Sequence, residues 1–276
     1  MKYKLLALDM DGTLLNSQKK ISPRTVAAID ELSKRGIHIV TSTGRGFVEM
    51  SDYRDVVKLM HCGILNSGGL LFDFLNDTPI KIHGLDEKII LQLIDFGLEE
   101  RAMIHMLSVR KSLARDEDIQ HMEAFDMSDY HDMFNRVCTR CDDFKKYVHE
   151  HPGEVIKINL YHRDKISRDR NLARIEPLHL SISFAEANNL EMSPENITKA
   201  SGLRELCDFL KLDLSETVAI GDAHNDTEIL QTAGLAVAMG NASPEIKKLA
   251  DFVTLDNDSD GVAAAIEKIF PLTRNV

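Results

Sequence analysis

The chain has 276 residues, with 44 acidic side chains against 33 basic ones and a formal charge of −11. A hydrophobic share of 43% beside 28% charged residues is globular composition and excludes a disordered chain. No apolar run reaches the ~20 residues of a spanning helix, and the acidic balance excludes a surface built for nucleic-acid backbone, so neither a membrane nor a nucleic acid is expected as partner.

Residues 3–8 form a short apolar run without helical period, as in a strand buried on both faces. The run ends at Asp9-Met10-Asp11-Gly12-Thr13. Ser22 is placed to cap a helix whose first position is Pro23, and Val26, Ile29 and Leu32 recur at helical spacing before Gly36 stops it. A second buried strand, 37–40, runs into Thr41-Ser42-Thr43-Gly44-Arg45. Strand, helix and strand within about 40 residues make a βαβ unit, the building block of parallel sheets.

The middle of the chain, from about 81 to 187, changes style. Segments 102–107, 155–161 and 178–183 alternate or carry interruptions such as Lys157 and Asn159, which fits an antiparallel sheet with helices on one face. From 197 the first style returns: a helix over 197–210, a strand over 217–220 ending at Gly221-Asp222, a helix over 226–233, a strand over 235–239 and a closing helix over 262–270. The expected fold is therefore α/β. A Rossmann-like parallel-sheet core (1–80 and 188–276) is interrupted by an inserted α+β cap domain (81–187).

Asp9 and Asp11 sit where open α/β sheets bind ligands, at the carboxyl end of a strand. Asp222 and Asp226 reach the same kind of position after a different strand. Four carboxylates at one edge repel unless a cation lies among them, and a few oxygen ligands suit Mg2+. Thr43-Gly44 offers a hydroxyl beside backbone N–H groups, which is anion-binding chemistry. Lys199, at a helix start, is a point charge suited to phosphate.

These residues resemble the motifs of the haloacid dehalogenase superfamily, specifically its Cof-type phosphatases with the large α/β cap (subfamily IIB). The resemblance is carried by Asp9 to Asn16 (DMDGTLLN), Ile21-Ser22, Thr43-Gly44-Arg45, Asn66-Ser67-Gly68-Gly69, Lys199, Gly221-Asp222-x-x-Asn225-Asp226 and Met239-Gly240-Asn241-Ala242. It covers both core segments; the cap matches in size and placement. Two positions depart from the usual pattern: Ser67 where glycine is common, and Ala200 after the lysine.

The resemblance implies a Mg2+-dependent phosphomonoester hydrolase acting on small phosphorylated metabolites; four cysteines without a disulfide framework and an opening unlike an export signal make the cytoplasm the expected compartment, and a monomer or small homo-oligomer is expected. Sugar phosphates are the first expectation and cofactor phosphates the second. It implies Asp9 as the nucleophile that becomes an aspartyl-phosphate and Asp11 as the general acid and base. Mg2+ would be held by Asp9, the Asp11 carbonyl and Asp222, with Asp226 supporting that shell. The Met10 and Gly44 N–H groups, Thr43, Lys199 and Asn225 would grip the phosphoryl oxygens, with the cap acting as a lid. The alternatives are a phosphomutase or other phosphoryl transferase, hinted at by Arg163, Lys165, Arg168, Arg170 and Arg174, and a non-catalytic metabolite-binding regulator.

Two further patterns are expected to carry no chemistry. Residues 256–267 satisfy the EF-hand loop spacing, but a strand-like stretch precedes them where an EF-hand needs a helix, and Asp260 is expected to cap the closing helix. Cys138-x-x-Cys141 has no second pair, so four reduced thiols and no zinc or redox site are expected.

Overall fold

The computed structural model describes residues 2–184 and 187–271. Its strands are β1 (Leu5–Leu8), β2 (His38–Ser42), β3 (Cys62–Leu65), β4 (Leu70–Asp73) and β5 (Thr78–Ile82). They continue with β6 (Met103–Ser108), β7 (Ser112–Ala114), β8 (Cys138–Arg140), β9 (Val155–Tyr161), β10 (Leu180–Ser183) and β11 (Asn189–Pro194). The last three are β12 (Thr217–Gly221), β13 (Leu235–Ala238) and β14 (Phe252–Val253).

β1 and β12 are buried along their whole length and β2 from Ile39 onward, as strands flanked by helices must be. The first sheet has the order β14-β13-β12-β1-β2-β3-β4-β5. From β14 to β3 its pairs are parallel; β4 adds antiparallel to β3 through Cys62↔Asp73 to Leu65↔Leu70. The β4–β5 extension is absent from the sequence reading, because a hairpin strand on a parallel sheet leaves no distinct hydrophobic period. The registers Leu8↔Ile220 and Leu8↔Thr41 bring the carboxyl ends of β12, β1 and β2 side by side. Helix Pro23–Lys34 starts as its sequence dictates, with the Ser22 side chain accepting from the Thr25 N–H and Pro at the first turn. Helix Lys199–Leu210 carries a capping box between Thr198 and Ser201, and its Ala200, Leu203, Leu206 and Cys207 enter the core with Leu5, Ile64 and Ala219. The closing helix is Gly261–Ile269. Asp260 precedes it in left-handed conformation without a side-chain cap bond, contrary to the capping expected of it.

The second sheet has the order β10-β11-β9-β6-β7-β8, antiparallel except for β7–β8. Ile104, Met106, Ile158, Leu160, Leu190 and Met192 pack on helices Glu87–Glu99 and Phe144–Glu150. The opposite face carries His105, Lys157, Asn159 and Glu191, with Asn159 in register with both His105 and Glu191.

The chain divides into two units: Met1–Gly44 with Tyr53–Ile80 and Thr198–Val276, and Arg45–Asp52 with Lys81–Ile197. The division differs from the expected boundaries at two places. Residues 188–197 belong with the second unit because β11 pairs with β9 and β10. Residues 45–52 join it because Asp52 pairs with Arg136 at 2.5 Å and Glu49 Oε1 lies 3.6 Å from His105 Nε2. Both are tertiary pairings, with partners over 50 residues away or on the preceding strands β9 and β10, which local patterning does not report. Among the described residues no helix is long and apolar enough to cross a membrane.

Candidate active site

Asp9 follows β1 directly, its N–H donating to the Ile220 carbonyl at 3.1 Å, so it lies beside the end of β12 where Asp222 begins the next turn. Adjacent parallel strands run about 4.8 Å apart, so two acids one step beyond paired strand ends meet without further design. Asp9, Asp222 and Asp226 each present a carboxylate oxygen within 4.8 Å of the others. Lys199 crosses from its helix N-terminus to this group. Its Nζ donates to Asp9 Oδ1 at 2.6 Å and to Asp226 Oδ1 at 2.7 Å, with the lysine only 1% exposed. The other oxygen of Asp226 accepts the Asp222 and Ala223 N–H groups at 3.0 and 3.1 Å, which fixes the turn that carries Asp222.

Charge in this cluster is unbalanced: three carboxylates face one ammonium. Burial, then the Asp226 charge, push the Asp9 carboxyl well above the usual range against the pull of Lys199. Burial pushes Asp222 up to about 6, the Thr13 hydroxyl opposing and Asp226 reinforcing the shift. Burial works to neutralise Lys199, but Asp226 and Asp9 outweigh it and raise its pKa, so the lysine stays charged. The excess of two negative charges on hard oxygen donors fits one small divalent cation.

The remaining predicted residues take varied places. The Asp11 carboxylate is outside the three-acid group and half-exposed, paired with Lys19 Nζ at 2.9 Å. Met10 is fully buried, and its carbonyl accepts the Leu15 N–H at 2.8 Å. Thr43 is buried after β2, its N–H on the Ile64 carbonyl and its own carbonyl accepting the Ser67 N–H, both at 2.9 Å. Gly44 is half-buried, whereas His224 and Asn225 are exposed on a single 3₁₀ turn.

Four residues were given no role in the sequence reading. Thr13 Oγ1 donates to Asp222 Oδ1 at 2.7 Å. Asn241 Nδ2 donates to the Gly12 carbonyl at 2.8 Å and reaches Asp222 Oδ2 at 3.4 Å. Lys19 stands on Asp11. Asn66 is fully buried with neither side-chain atom partnered, in a turn where Asn66, Ser67 and Gly68 all have positive φ. Thr13 and Asn241 lie inside the recognised motifs, so their position was a signal; Lys19 offered none.

The patterns expected to be inert have other partners. Asp258 Oδ1 and Oδ2 accept from the Ser17 N–H and hydroxyl at 2.8 and 2.6 Å, while Glu267 and Asp260 meet Arg24 at 2.8 and 3.8 Å. Burial pushes the Cys138 thiol up to about 12 and also raises Cys141, which disfavours a reactive thiolate at either position. All four cysteines are free.

A family model of haloacid dehalogenase-like hydrolases matches residues 6–266. A Haemophilus influenzae relative is 32% identical over 276 residues, covering 98% of this chain and 100% of its own. The 5-amino-6-(5-phospho-D-ribitylamino)uracil phosphatase YcsE of Bacillus subtilis is 30% identical over 264 residues, covering 95% of this chain and 94% of its own. The crystal structure of a haloacid dehalogenase-like hydrolase from Bacteroides thetaiotaomicron superposes with a TM-score of 0.85 at 26% identity, over 97% of this chain and 100% of that one. The chain belongs to the haloacid dehalogenase-like hydrolases, within their Cof-type phosphatases.

Proposed function

We propose that this phosphatase is a Mg2+-dependent phosphomonoester hydrolase that works through an aspartyl-phosphate on Asp9. The observation that carries the reading is the buried group of Asp9, Asp222 and Asp226 around a single ammonium, Lys199. Asp9, the Asp11 carbonyl and Asp222 would hold the ion, with Asp226 fixing the Asp222 turn. Bound there, Mg2+ supplies the positive charge that keeps Asp9 ionised and neutralises the phosphoryl group.

The chain's own residues do the rest. An Asp9 carboxylate oxygen forms a bond to phosphorus while the bond from phosphorus to the substrate oxygen breaks. Asp11 gives its proton to the departing alkoxide, then takes one from the water that attacks the aspartyl-phosphate, releasing phosphate and restoring Asp9. Lys199 neutralises phosphoryl charge from a site with almost no solvent, where an ammonium acts more strongly than in water. Thr43, Asn225 and the Met10 and Gly44 N–H groups orient the oxygens.

The substrate class is a small phosphorylated metabolite, sugar phosphates first and cofactor-related phosphates second. The relative YcsE is named for a uracil that carries a phosphorylated ribityl chain, a phosphate on a polyol as in the first class. Of the five basic residues behind the mutase alternative, Arg170 and Arg174 pair with Glu100 and Glu99 at 2.5 and 2.7 Å, which leaves Arg163, Lys165 and Arg168 as its support.

The test is phosphate release from an aryl phosphate with and without Mg2+, in the wild type and in Asp9→Asn. Mg2+-dependent release that the variant abolishes while remaining folded supports the reading. Turnover persisting in Asp9→Asn removes Asp9 as nucleophile, and phosphoryl transfer to an added alcohol in place of free phosphate would recast the enzyme as a transferase.

A further inference from the structure

We propose that Asn241, locked by the 256–260 loop, is a positioning residue that sets the affinity of the acidic centre for its divalent cation; the inference rests on the cation site of the preceding section. The argument begins with the amide itself. A carboxamide has two donors on nitrogen and acceptor sites on oxygen only, so its orientation decides what it can hold. The Asn241 nitrogen serves two acceptors from different segments: the Gly12 carbonyl at 2.8 Å, in the turn after Asp9, and Asp222 Oδ2 at 3.4 Å, after β12. Turned over, the amide would set its oxygen against a carbonyl and a carboxylate.

The 256–260 loop forbids that turn. The Asn257 N–H donates to Asn241 Oδ1 at 3.1 Å, which pins the oxygen on the far side. The backbone approach that makes this contact is close: a Cβ on Gly240 would lie 2.6 Å from the Asp256 nitrogen, so position 240 admits no side chain without a shift. The Gly240 N–H also donates to the Leu255 carbonyl at 2.9 Å.

The same loop grips the far end of the nucleophile segment. Asn257 Nδ2 donates to the Leu15 carbonyl at 2.9 Å, and the Asp258 carboxylate takes both the N–H and the hydroxyl of Ser17. The stretch whose spacing imitates a calcium loop thus ties residues 12–17 to Asn241 and, through it, to Asp222. With Thr13 on Oδ1 and Asn241 on Oδ2, the Asp222 carboxylate has a fixed plane before any ion arrives. Partners that orient a metal ligand in this way are worth about 10- to 100-fold in metal affinity.

The experiment measures Mg2+ binding by calorimetry without substrate, on the full-length wild type, Asn241→Ala and Asn257→Ala, with melting temperature and kcat against Mg2+ alongside. The expected result is an Mg2+ Kd about 10- to 100-fold weaker in Asn241→Ala, with a smaller loss in Asn257→Ala. In both, kcat returns toward wild type as Mg2+ saturates. A purely architectural role would lower the melting temperature and leave the Kd of the folded protein unchanged. If both variants bind Mg2+ as the wild type does, the inference is overturned while the hydrolase reading stands. If the wild type itself binds no Mg2+, both fall. Should Asn241→Ala not fold, Asn241→Leu decides, since it keeps the side chain's volume and loses both the donor to Asp222 and the acceptor for the Asn257 N–H: an unchanged Kd there refutes the inference.

Discussion

Replacing Lys199 with methionine removes one charge from the most buried part of the site while nearly keeping the side chain's volume. The ammonium is 1% exposed and lies 2.6 Å from Asp9 and 2.7 Å from Asp226, so the variant leaves two carboxylates in a dry environment with no cation. Breaking a buried ion pair by deleting one partner costs about 3–5 kcal/mol. In a unit of about 150 residues, at roughly 2–4 °C per kcal/mol, the melting temperature of metal-free protein at pH 8 falls by about 6–20 °C. The loss depends on pH in a fixed direction. The Asp9 carboxyl already has a raised pKa, and without Lys199 one of the influences lowering it is gone. A group raised in the folded state stabilises while protonated and loses that contribution as pH rises through its folded pKa. The gap between variant and wild type therefore narrows at pH 5 and widens at pH 8. Adding Asp226→Asn removes one of the orphaned charges and returns part of the stability, which a double-mutant cycle reads directly. Thermal unfolding followed by circular dichroism, in chelator and then in Mg2+, is sufficient. If Lys199→Met melts with the wild type at pH 8 in chelator, Lys199 is not the counter-charge of this cluster and the electrostatic account of the site is wrong.

Three further outcomes follow from the same geometry. In chelator, the stability difference between wild type and Asp222→Asn shifts against the wild type as pH rises from about 4 through about 6, because the folded pKa of Asp222 lies above the ordinary 3.8; denaturant titrations at several pH values measure it, and a flat difference contradicts it. Gly12→Ala loses turnover and about 1–3 kcal/mol of stability, since Gly12 has φ +80° and a Cβ there would lie 2.3 Å from Asp222 Oδ2; a fully active variant would show that Asp222 is free to move. Asp222→Asn, with the acidic centre disabled, shows no calcium binding by calorimetry, because Asp258 is committed to Ser17 and Glu267 to Arg24; residual calcium binding in that background that Asp258→Asn then removes would revive the EF-hand reading.

Much of the site was legible because its residues stand at strand ends. Apolar runs that stop at Asp9, Thr43 and Asp222 belong to a parallel sheet whatever their order, and parallel strands present all their carboxyl ends on one edge. The Ser22-Pro23 helix start was equally local, as one side chain and one fixed φ decide it. Spacing alone placed four acids in one pocket. Three gather there, while Asp11 turns to Lys19, eight residues on, in a contact that depends on how the 16–20 turn folds back.

What the sequence by itself determined was the periodicity of each segment, the acids and hydroxyls that terminate the strands, and hence the class of chemistry. Tertiary structure decided which charges share one counter-ion. Lys199 is 190 residues from Asp9 along the chain, and only the packing of its helix against the sheet brings the ammonium between Asp9 and Asp226. It also gave residues 45–52 and 188–197 to the second unit and turned a calcium-like loop into a strap on residues 15–17. The physical reason is common to all of these. Period and propensity act over a few residues, whereas desolvation and hydrogen-bond pairing act between whichever groups the fold buries together, and their partners lie tens to hundreds of positions away.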